Sequence, residues 1–275
     1  METLDISPVV KWAGGKRQLL NRIIERMPER YNNYFEPFVG GGAVLFGLQP
    51  NTATVNDING ELINLYRTIR EQPQQFITEL AAIDKVNCNK EYYYTQRERY
   101  NEKIKANEHD PELAALFVWL NKHCFNGLYR VNKHGLFNVP YNNKDGSTQS
   151  ATIENITAMS NFLQRVRIMH GDFEVSVEDT AAEDFVFFDS PYASINATSF
   201  DSYTKEGFAE EEHRRLAELF KALDKKGCYC MLTNHDVPLI RELYTDYNIE
   251  VVEVKRLINR NADARTGVEV IITNY

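Results

Sequence analysis

The sequence predicts an α/β fold: a mostly parallel sheet with helices on its faces, an antiparallel pair at one edge, and a mainly helical segment inserted within it. Three observations predict it. Two strand–turn–helix units follow one another near the start, "NYFEPFVGGGAVLF" and "TATVNDINGELINLYRTIR". Helix patterns then succeed one another between Pro73 and Asn121, in "QQFITELAAID", "KEYYYTQRERYNEKIKA" and "PELAALFVWLNKHC". Sheet pattern resumes in "RVRIMHGDF", "DFVFFDSPY", "GCYCMLTNH", "IEVVEVKRL" and "VEVIITNY", the last two reading as the antiparallel pair. The insertion spans roughly 73–150.

Of the 275 residues, 43% are hydrophobic, which suffices for one large core or a core with a smaller lobe. The start, "METLDISPVVKW", lacks a basic stretch followed by an apolar run, and no apolar stretch is long enough to cross a bilayer. A cytoplasmic protein with no membrane partner is expected. Cys88, Cys124, Cys228 and Cys230 include no C-x-x-C pair and no second half of a zinc site, so they read as structural, and no metal is expected.

In "KWAGGKRQLL" a turn leads into a helix expected from Lys16 onward. Gly14-Gly15-Lys16 is not a phosphate loop, because Arg17 follows the lysine and no glycine stands at the required spacing. Lys16 therefore has two readings. It starts a helix, or it pairs with a carboxylate on a ligand against which Trp12 packs.

Gly40, Gly41 and Gly42 join a strand to a helix, where the backbone can approach a ligand closely. The dinucleotide fingerprint fails because Leu45 occupies the place of its third glycine. Glu36, just ahead of the turn, would repel a pyrophosphate but suits a cation. Asp57 ends the second strand, the usual place for a carboxylate that holds a ribose diol. A positively charged nucleoside without a diphosphate meets these conditions, and S-adenosylmethionine is one.

The turn-rich segment "FNGLYRVNKHGLFNVPYNNKDGS" follows the helices, and within it "YRVN-KHG-LFNVP" fits a hairpin. The net charge of −8 argues weakly against a nucleic-acid partner, but distribution matters more than the sum. From Asn121 to Lys144 there is no Asp or Glu, while Lys122, Arg130, Lys133 and Lys144 are present. Arg97, Arg99, Lys103 and Lys105 on the preceding helix read either as phosphate contacts or as a solvated face.

"KWAGGK", "FEPFVGGGAV", "NDIN", "FNGLYRVNKHGLFNVP" and "DSPY", in this order, resemble the DNA adenine-N6 methyltransferases of the Dam and DpnII type, the D12 class with the α order of motifs. The resemblance covers nearly the whole chain from Lys11. It implies a doubly wound, Rossmann-like methyltransferase sheet. Residues 1–72 and 151–275 would form the catalytic domain that binds S-adenosylmethionine, and 73–150 an inserted target-recognition lobe. It implies that Trp12, Ala13, Gly14, Lys16, Glu36, Phe38, Gly40, Gly42, Asp57 and Asp189 line the cofactor site, with Asp172 and Phe173 bordering the adenine. In the insertion, Phe125 matches an aromatic that wedges at DNA. Leu128, Arg130 and Pro140 match residues that face bases, Lys11 matches a further base contact, and Asn126, Asn132 and Asn138 are counted with them. The implied partner is double-stranded DNA, the family's usual target is GATC, and a monomer without an obligate protein partner is expected. Arg can bond a guanine edge through two hydrogen bonds, and Leu or Pro can pack on a thymine methyl.

The catalytic residues implied are Asp189, Ser190, Pro191 and Tyr192. An exocyclic amine is a poor nucleophile, and acceptors for both its hydrogens favour the tetrahedral, positively charged nitrogen of the transition state. Asp189 would be one acceptor and the Ser190 carbonyl the other, while Tyr192 stacks on a base drawn out of the helix. Ser190 stands where the family commonly has Pro, which a role for its carbonyl tolerates.

Cytosine N4 methylation is the nearest rival, having similar geometry. C5 methylation is disfavoured for want of a placed cysteine. A non-catalytic regulator and an NAD-dependent oxidoreductase are the remaining classes. His235 reads either as a DNA contact or as part of a helix start with Asp236 near the cap. Asn261 and Arg265 read as phosphate contacts or a polar loop, and Tyr203 as a residue that orders the loop after Asp189.

Overall fold

The computed structural model describes residues 5–12, 14, 16, 19–146, 149–194, 208–255 and 266–275. Strands β1 (Tyr34–Glu36), β2 (Ala53–Asp57), β3 (Val166–His170), β4 (Phe185–Phe188), β5 (Tyr229–His235), β6 (Asn248–Lys255) and β7 (Thr266–Thr273) form one sheet. Its order is β3-β2-β1-β4-β5-β7-β6. Neighbours are parallel except at β7, which runs antiparallel to both β5 and β6. The chain winds outward from β1 through β2 to β3, then returns to start again at β4. The expected doubly wound sheet is therefore present, with its switch point between β1 and β4.

Alternation along the strands supplies two apolar faces. Tyr34, Val55, Phe185, Phe187, Met231 and Ile271 belong to one buried cluster, and Phe35, Val186, Phe188, Cys230, Leu232 and Ile272 to a second. Helix α8 (Glu210–Lys226) closes the second cluster with Leu216, Phe220 and Leu223, and α9 (Pro238–Leu243) adds Ile240. A parallel sheet buried on both faces needs such near-continuous apolar strands.

The first face carries α2 (Ala43–Leu48), α3 (Gly60–Glu71) and α7 (Ile153–Leu163), with α1 (Leu20–Glu25) against α2. Residues 73–150 hold α4 (Pro73–Asp84), α5 (Lys90–Ala106) and α6 (Pro111–His123). Their side chains Phe76, Tyr93, Phe117 and Trp119 belong to the same buried cluster as Tyr34 and Phe187, so this segment packs on the sheet's helices without a break. Side-chain caps start several of these helices: Asn59, Asn89, Asp110 and Thr152 each accept a backbone N–H from the first turn. Helix α1 begins at Leu20, later than the expected start at Lys16, whose side chain is turned into the cleft described below. Among the described residues no helix is long and apolar enough to cross a membrane.

The expected hairpin is present in short form: Val131 and Phe137 bridge antiparallel, the Asn132 N–H donates to the Leu136 carbonyl at 2.9 Å and the Asn138 N–H to the Arg130 carbonyl at 3.1 Å, and a turn at Asn132–Gly135 closes it. Its outer edge lies against α5. Asn101 Oδ1 accepts from the Phe137 N–H at 2.9 Å, and Asn101 Nδ2 donates to the Phe137 carbonyl at 3.1 Å. The Tyr93 hydroxyl donates to the Val139 carbonyl at 2.9 Å. Helix side chains thus satisfy the backbone groups of Phe137 and Val139 that face away from the hairpin partner.

Candidate active site

The alternation that builds the first apolar face continues past it. Two residues beyond Val55, Tyr34 and Phe187 stand Asp57, Glu36 and Asp189, and beyond Met231 come Thr233 and His235. Because β7 is antiparallel, its residue at the same edge precedes Ile271 and is Glu269, registered opposite His235. One sheet face therefore ends, in strand order, in Asp57, Glu36, Asp189, His235 and Glu269, all lining a cleft of ≈ 1420 Å³ over the switch point.

Asp189 is the most engaged of these. Lys16 Nζ lies 2.6 Å from its Oδ1, and Thr233 Oγ1 donates to the same oxygen at 3.0 Å. Lys16 is 4% exposed, also donates to the Gly14 carbonyl at 2.6 Å, and sits 4.5 Å from the centre of the Tyr192 ring. Burial raises the Asp189 pKa above the ordinary carboxylate value, Lys16 and Thr233 oppose the rise, and the charge of Glu269 adds to it. Of the two readings of Lys16, the helix start fails because α1 begins at Leu20, and the carboxylate that Lys16 meets here is that of Asp189.

Glu36 is buried and accepts from the Tyr34 hydroxyl at 2.8 Å. Burial pushes its pKa well above the usual range, the Tyr34 bond opposes this, and the neighbouring Asp189 and Asp57 push it further up. Asp57 accepts from the Gly40 and Asn59 N–H groups, both at 2.9 Å. Burial raises its pKa and those two bonds oppose the rise. A cation placed among these acids would favour their ionised forms and so oppose the rise that burial causes.

The glycine turn lets a tryptophan lie against it. Gly40 (φ 48°) and Gly42 (φ 72°) are left-handed, and a Cβ on Gly40 would stand 2.8 Å from Trp12 Cδ1. Trp12 stacks on Tyr129 at 5.3 Å. Farther along the cleft Phe38 and Phe173 pack at 5.2 Å, with the Arg215 guanidinium 4.3 Å over Phe173. Arg215 also pairs with Asp172 and, at 2.8 Å, with Glu174. An aromatic wall, a carboxylate beside a glycine turn and a row of acids fit the cationic nucleoside cofactor expected from the sequence.

Among the motif residues, the Tyr192 hydroxyl donates to Glu269 Oε2 at 2.8 Å, and its ring meets the edge of His235 at 4.8 Å. His235 Nδ1 donates to the Ala193 carbonyl at 2.8 Å, and the Ala193 N–H donates to Asn234 Oδ1 at 2.8 Å. The Ser190 hydroxyl is buried without a hydrogen-bond partner. Asp236 stands one residue before Val237, the N-cap of α9, and its carboxylate pairs with Arg241 at 2.5 Å and makes no cap bond.

The expected DNA-facing residues gather around one clamp. Asn121 Oδ1 accepts from the Lys11 N–H at 2.7 Å, and Asn121 Nδ2 donates to the carbonyls of Lys11 and Gly127 at 2.9 and 3.0 Å. Lys11 is thereby held beside the Phe125–Gly127 turn, far from it in sequence. Phe125 is 49% exposed, Asn126 adopts a left-handed φ of 57°, and Pro140 is exposed. Arg130 is exposed, with Nε held by Asn138 Oδ1 at 2.7 Å, and Leu128 is half-buried. Asn132 Oδ1 accepts from the His134 N–H at 2.8 Å and so holds the turn.

Two cations of α5 are committed elsewhere. Lys103 is tied to Glu108, Asp110 and Glu112 at 2.7, 2.8 and 3.2 Å, and Arg99 pairs with Glu112. Neither the phosphate contact nor the solvated face describes Lys103, since its partners lie in the loop and first turn of α6 that pack back on it. Arg97 donates to the Val139 carbonyl at 3.3 Å, and Lys105 is exposed. Ala13, Tyr203, Asn261 and Arg265 lie outside the described residues. Thr233, Arg215 and Glu269 were not singled out from sequence. Each carried only a weak signal, a polar residue inside or beside an apolar pattern.

A family model described as D12 class N6 adenine-specific DNA methyltransferase matches residues 12–258. Over 276 residues the chain is 43% identical to the Type II methyltransferase M1.LlaDCHI of Lactococcus lactis subsp. cremoris, covering 99% of this chain and 96% of that protein. It is 40% identical over 294 residues to the Type II methyltransferase M.MjaIII of Methanocaldococcus jannaschii, covering 99% and 100%. It is 31% identical over 271 residues to the DNA adenine methylase of Escherichia coli strain K12, covering 97% and 94%.

Proposed function

This chain belongs to the D12 class N6 adenine-specific DNA methyltransferase family, and on that premise we propose that it methylates adenine N6 within GATC, after drawing the base out of duplex DNA. It is an adenine-specific DNA methyltransferase whose methyl donor is S-adenosylmethionine. When bound, that cofactor supplies an electrophilic methyl group on a positively charged sulfur.

The observation that carries the reading is the placement of Asp189. Its carboxylate stands at the end of β4 beside Tyr192, in a cleft shared with Glu36 and Asp57. Asp189 accepts a hydrogen bond from the adenine amine and the Ser190 carbonyl accepts the other, which favours the pyramidal nitrogen. Lys16 favours the ionised form of Asp189 against the burial that raises its pKa. Tyr192 stacks on the extruded base. Once methylated, N6 loses a proton, and the Asp189 carboxylate is the acceptor in reach.

Trp12, Gly14, Lys16, Glu36, Phe38, Gly40, Gly42, Asp57, Asp172 and Phe173 would hold the cofactor. Residues 1–72 and 151–275 carry the transfer, and 73–150 read the DNA. Arg130 bonds a guanine edge, Leu128 and Pro140 pack on thymine methyls, and Phe125 enters the space the base leaves. Lys11 and Asn126 add contacts at the same turn.

Labelled S-adenosylmethionine, duplexes carrying GATC or single-base variants of it, and digestion of the product to nucleosides test this reading. N6-methyladenine confined to GATC is the expected result. Equal transfer to the variant sites would remove the GATC assignment, and label on cytosine would remove the adenine assignment.

A further inference from the structure

Tyr192 sits on a loop that leaves β4 after Asp189, and the backbone on its far side is pinned by Asn234 and His235 through Ala193. Its ring has no such frame. His235 touches its edge, Lys16 faces it, its hydroxyl donates to Glu269 Oε2 at 2.8 Å, and Thr233 also reaches that hydroxyl. Glu269 comes from β7, an antiparallel strand laid beside β5, and lies beyond the residues 12–258 matched by the family model.

We propose that Glu269 is a positioning residue for the transfer: its carboxylate holds the Tyr192 hydroxyl and so sets the angle of the ring on which the target base stacks. The inference rests on the stacking role of Tyr192 stated above. A ring attached through freely turning bonds presents its face in many orientations, and fixing it beforehand spares that cost when the base arrives. A hydrogen bond to a carboxylate is among the stronger ones available. Glu269 is a rigid anchor because its backbone is paired on both sides, with His235 in β5 and Val252 in β6. Burial holds the Tyr192 hydroxyl protonated far into the alkaline range, so it remains a donor.

The test is a set of variants of the full chain: Glu269→Ala, Glu269→Gln, Tyr192→Phe, Tyr192→Ala and the double variant Glu269→Ala/Tyr192→Phe. Single-turnover methylation is measured at saturating S-adenosylmethionine. In parallel, 2-aminopurine at the target adenine reports stacking by its fluorescence. Glu269→Ala and Tyr192→Phe are expected to slow transfer by similar factors, on the order of tenfold, with the double variant no slower than either. Gln still offers an acceptor oxygen, so Glu269→Gln should recover most of the rate. The fluorescence should brighten in Glu269→Ala and Tyr192→Phe and stay near wild type in Glu269→Gln.

A wild-type rate in Glu269→Ala, or multiplying losses in the double variant, would overturn the inference. So would a Glu269→Gln variant as slow as the alanine one, which would place the effect in the charge of Glu269 on Asp189. If Glu269→Ala fails to fold, the comparison of Glu269→Gln with Tyr192→Phe still decides. Tyr192→Ala separates the two readings. An unimpaired Tyr192→Ala removes stacking itself, whereas its impairment beside an unimpaired Glu269→Ala removes only the positioning role.

Discussion

Lys16 Nζ stands 2.6 Å from Asp189 Oδ1 and 4.5 Å from the centre of the Tyr192 ring, so one buried cation touches the first and last side chains of the motif. Removing one member of a buried pair leaves the other uncompensated. In Lys16→Met, Asp189 loses the charge that opposes its burial and holds its proton to higher pH. The acid limb of the single-turnover rate is expected to move to higher pH, with a lower rate at neutrality. An unmoved limb would show that Lys16 does not govern Asp189.

Glu36 answers pH in the stability of the fold. Its folded pKa lies well above the ordinary carboxylate value because of burial, with Asp189 and Asp57 adding to the rise. The protonated carboxyl therefore contributes its full stability below the ordinary carboxylate range, and that contribution is lost as pH rises through the folded value. Glu36→Gln keeps an acceptor for Tyr34 and never ionises. Denaturant midpoints of wild type are expected to fall relative to Glu36→Gln as pH rises. Parallel pH curves would count against the assignment.

Arg130 and Asn138 divide one task. Asn138 holds the guanidinium by Nε at 2.7 Å and one terminal nitrogen through its carbonyl at 3.4 Å, so on the proposed role the other terminal nitrogen is the one turned to a base edge. Arg130→Ala should cost about 1–3 kcal/mol of discrimination at a guanine. Competition between a GATC duplex and one carrying 7-deazaguanine, which lacks the N7 acceptor, measures it. Wild type is expected to discriminate, Arg130→Ala to lose the preference, and Asn138→Ala to keep part of it.

Ser190 offers the motif a carbonyl, and its hydroxyl has no visible task. Its hydroxyl is buried and unpartnered, so it stabilises nothing that the structure displays. Ser190→Ala removes an unsatisfied polar group and is expected to raise stability by about 1 kcal/mol, read from the denaturant midpoint. The carbonyl remains, so methyl transfer should stay within a few-fold of wild type. A large loss of rate would give the hydroxyl a part in the reaction.

Much of the sheet was legible because alternation and glycine turns are local properties of the chain. Val55 to Asp57, and Phe187 to Asp189, announce a strand that ends in an acid within a few residues. The hairpin at Val131–Phe137 was legible for the same reason, whereas Asn101 and Tyr93, which α5 lays along its outer edge, were not. Lys103 looked like any helix-surface lysine until the loop and first turn of α6 brought three carboxylates to it.

By itself the sequence determined the two strand–turn–helix units, the acids at their ends, the Asp189–Tyr192 motif and the family resemblance, since each is written in neighbouring residues. Only the tertiary structure decided that Lys16 pairs with Asp189, that Asn121 joins Lys11 to the Phe125 turn, and that Glu269 meets Tyr192. These contacts depend on crossovers and strand register, above all on the reversed β7, which presents to the cleft a residue from inside its own run. Periodicity states which face a side chain takes, but the partner across the cleft is set by where distant strands come to lie.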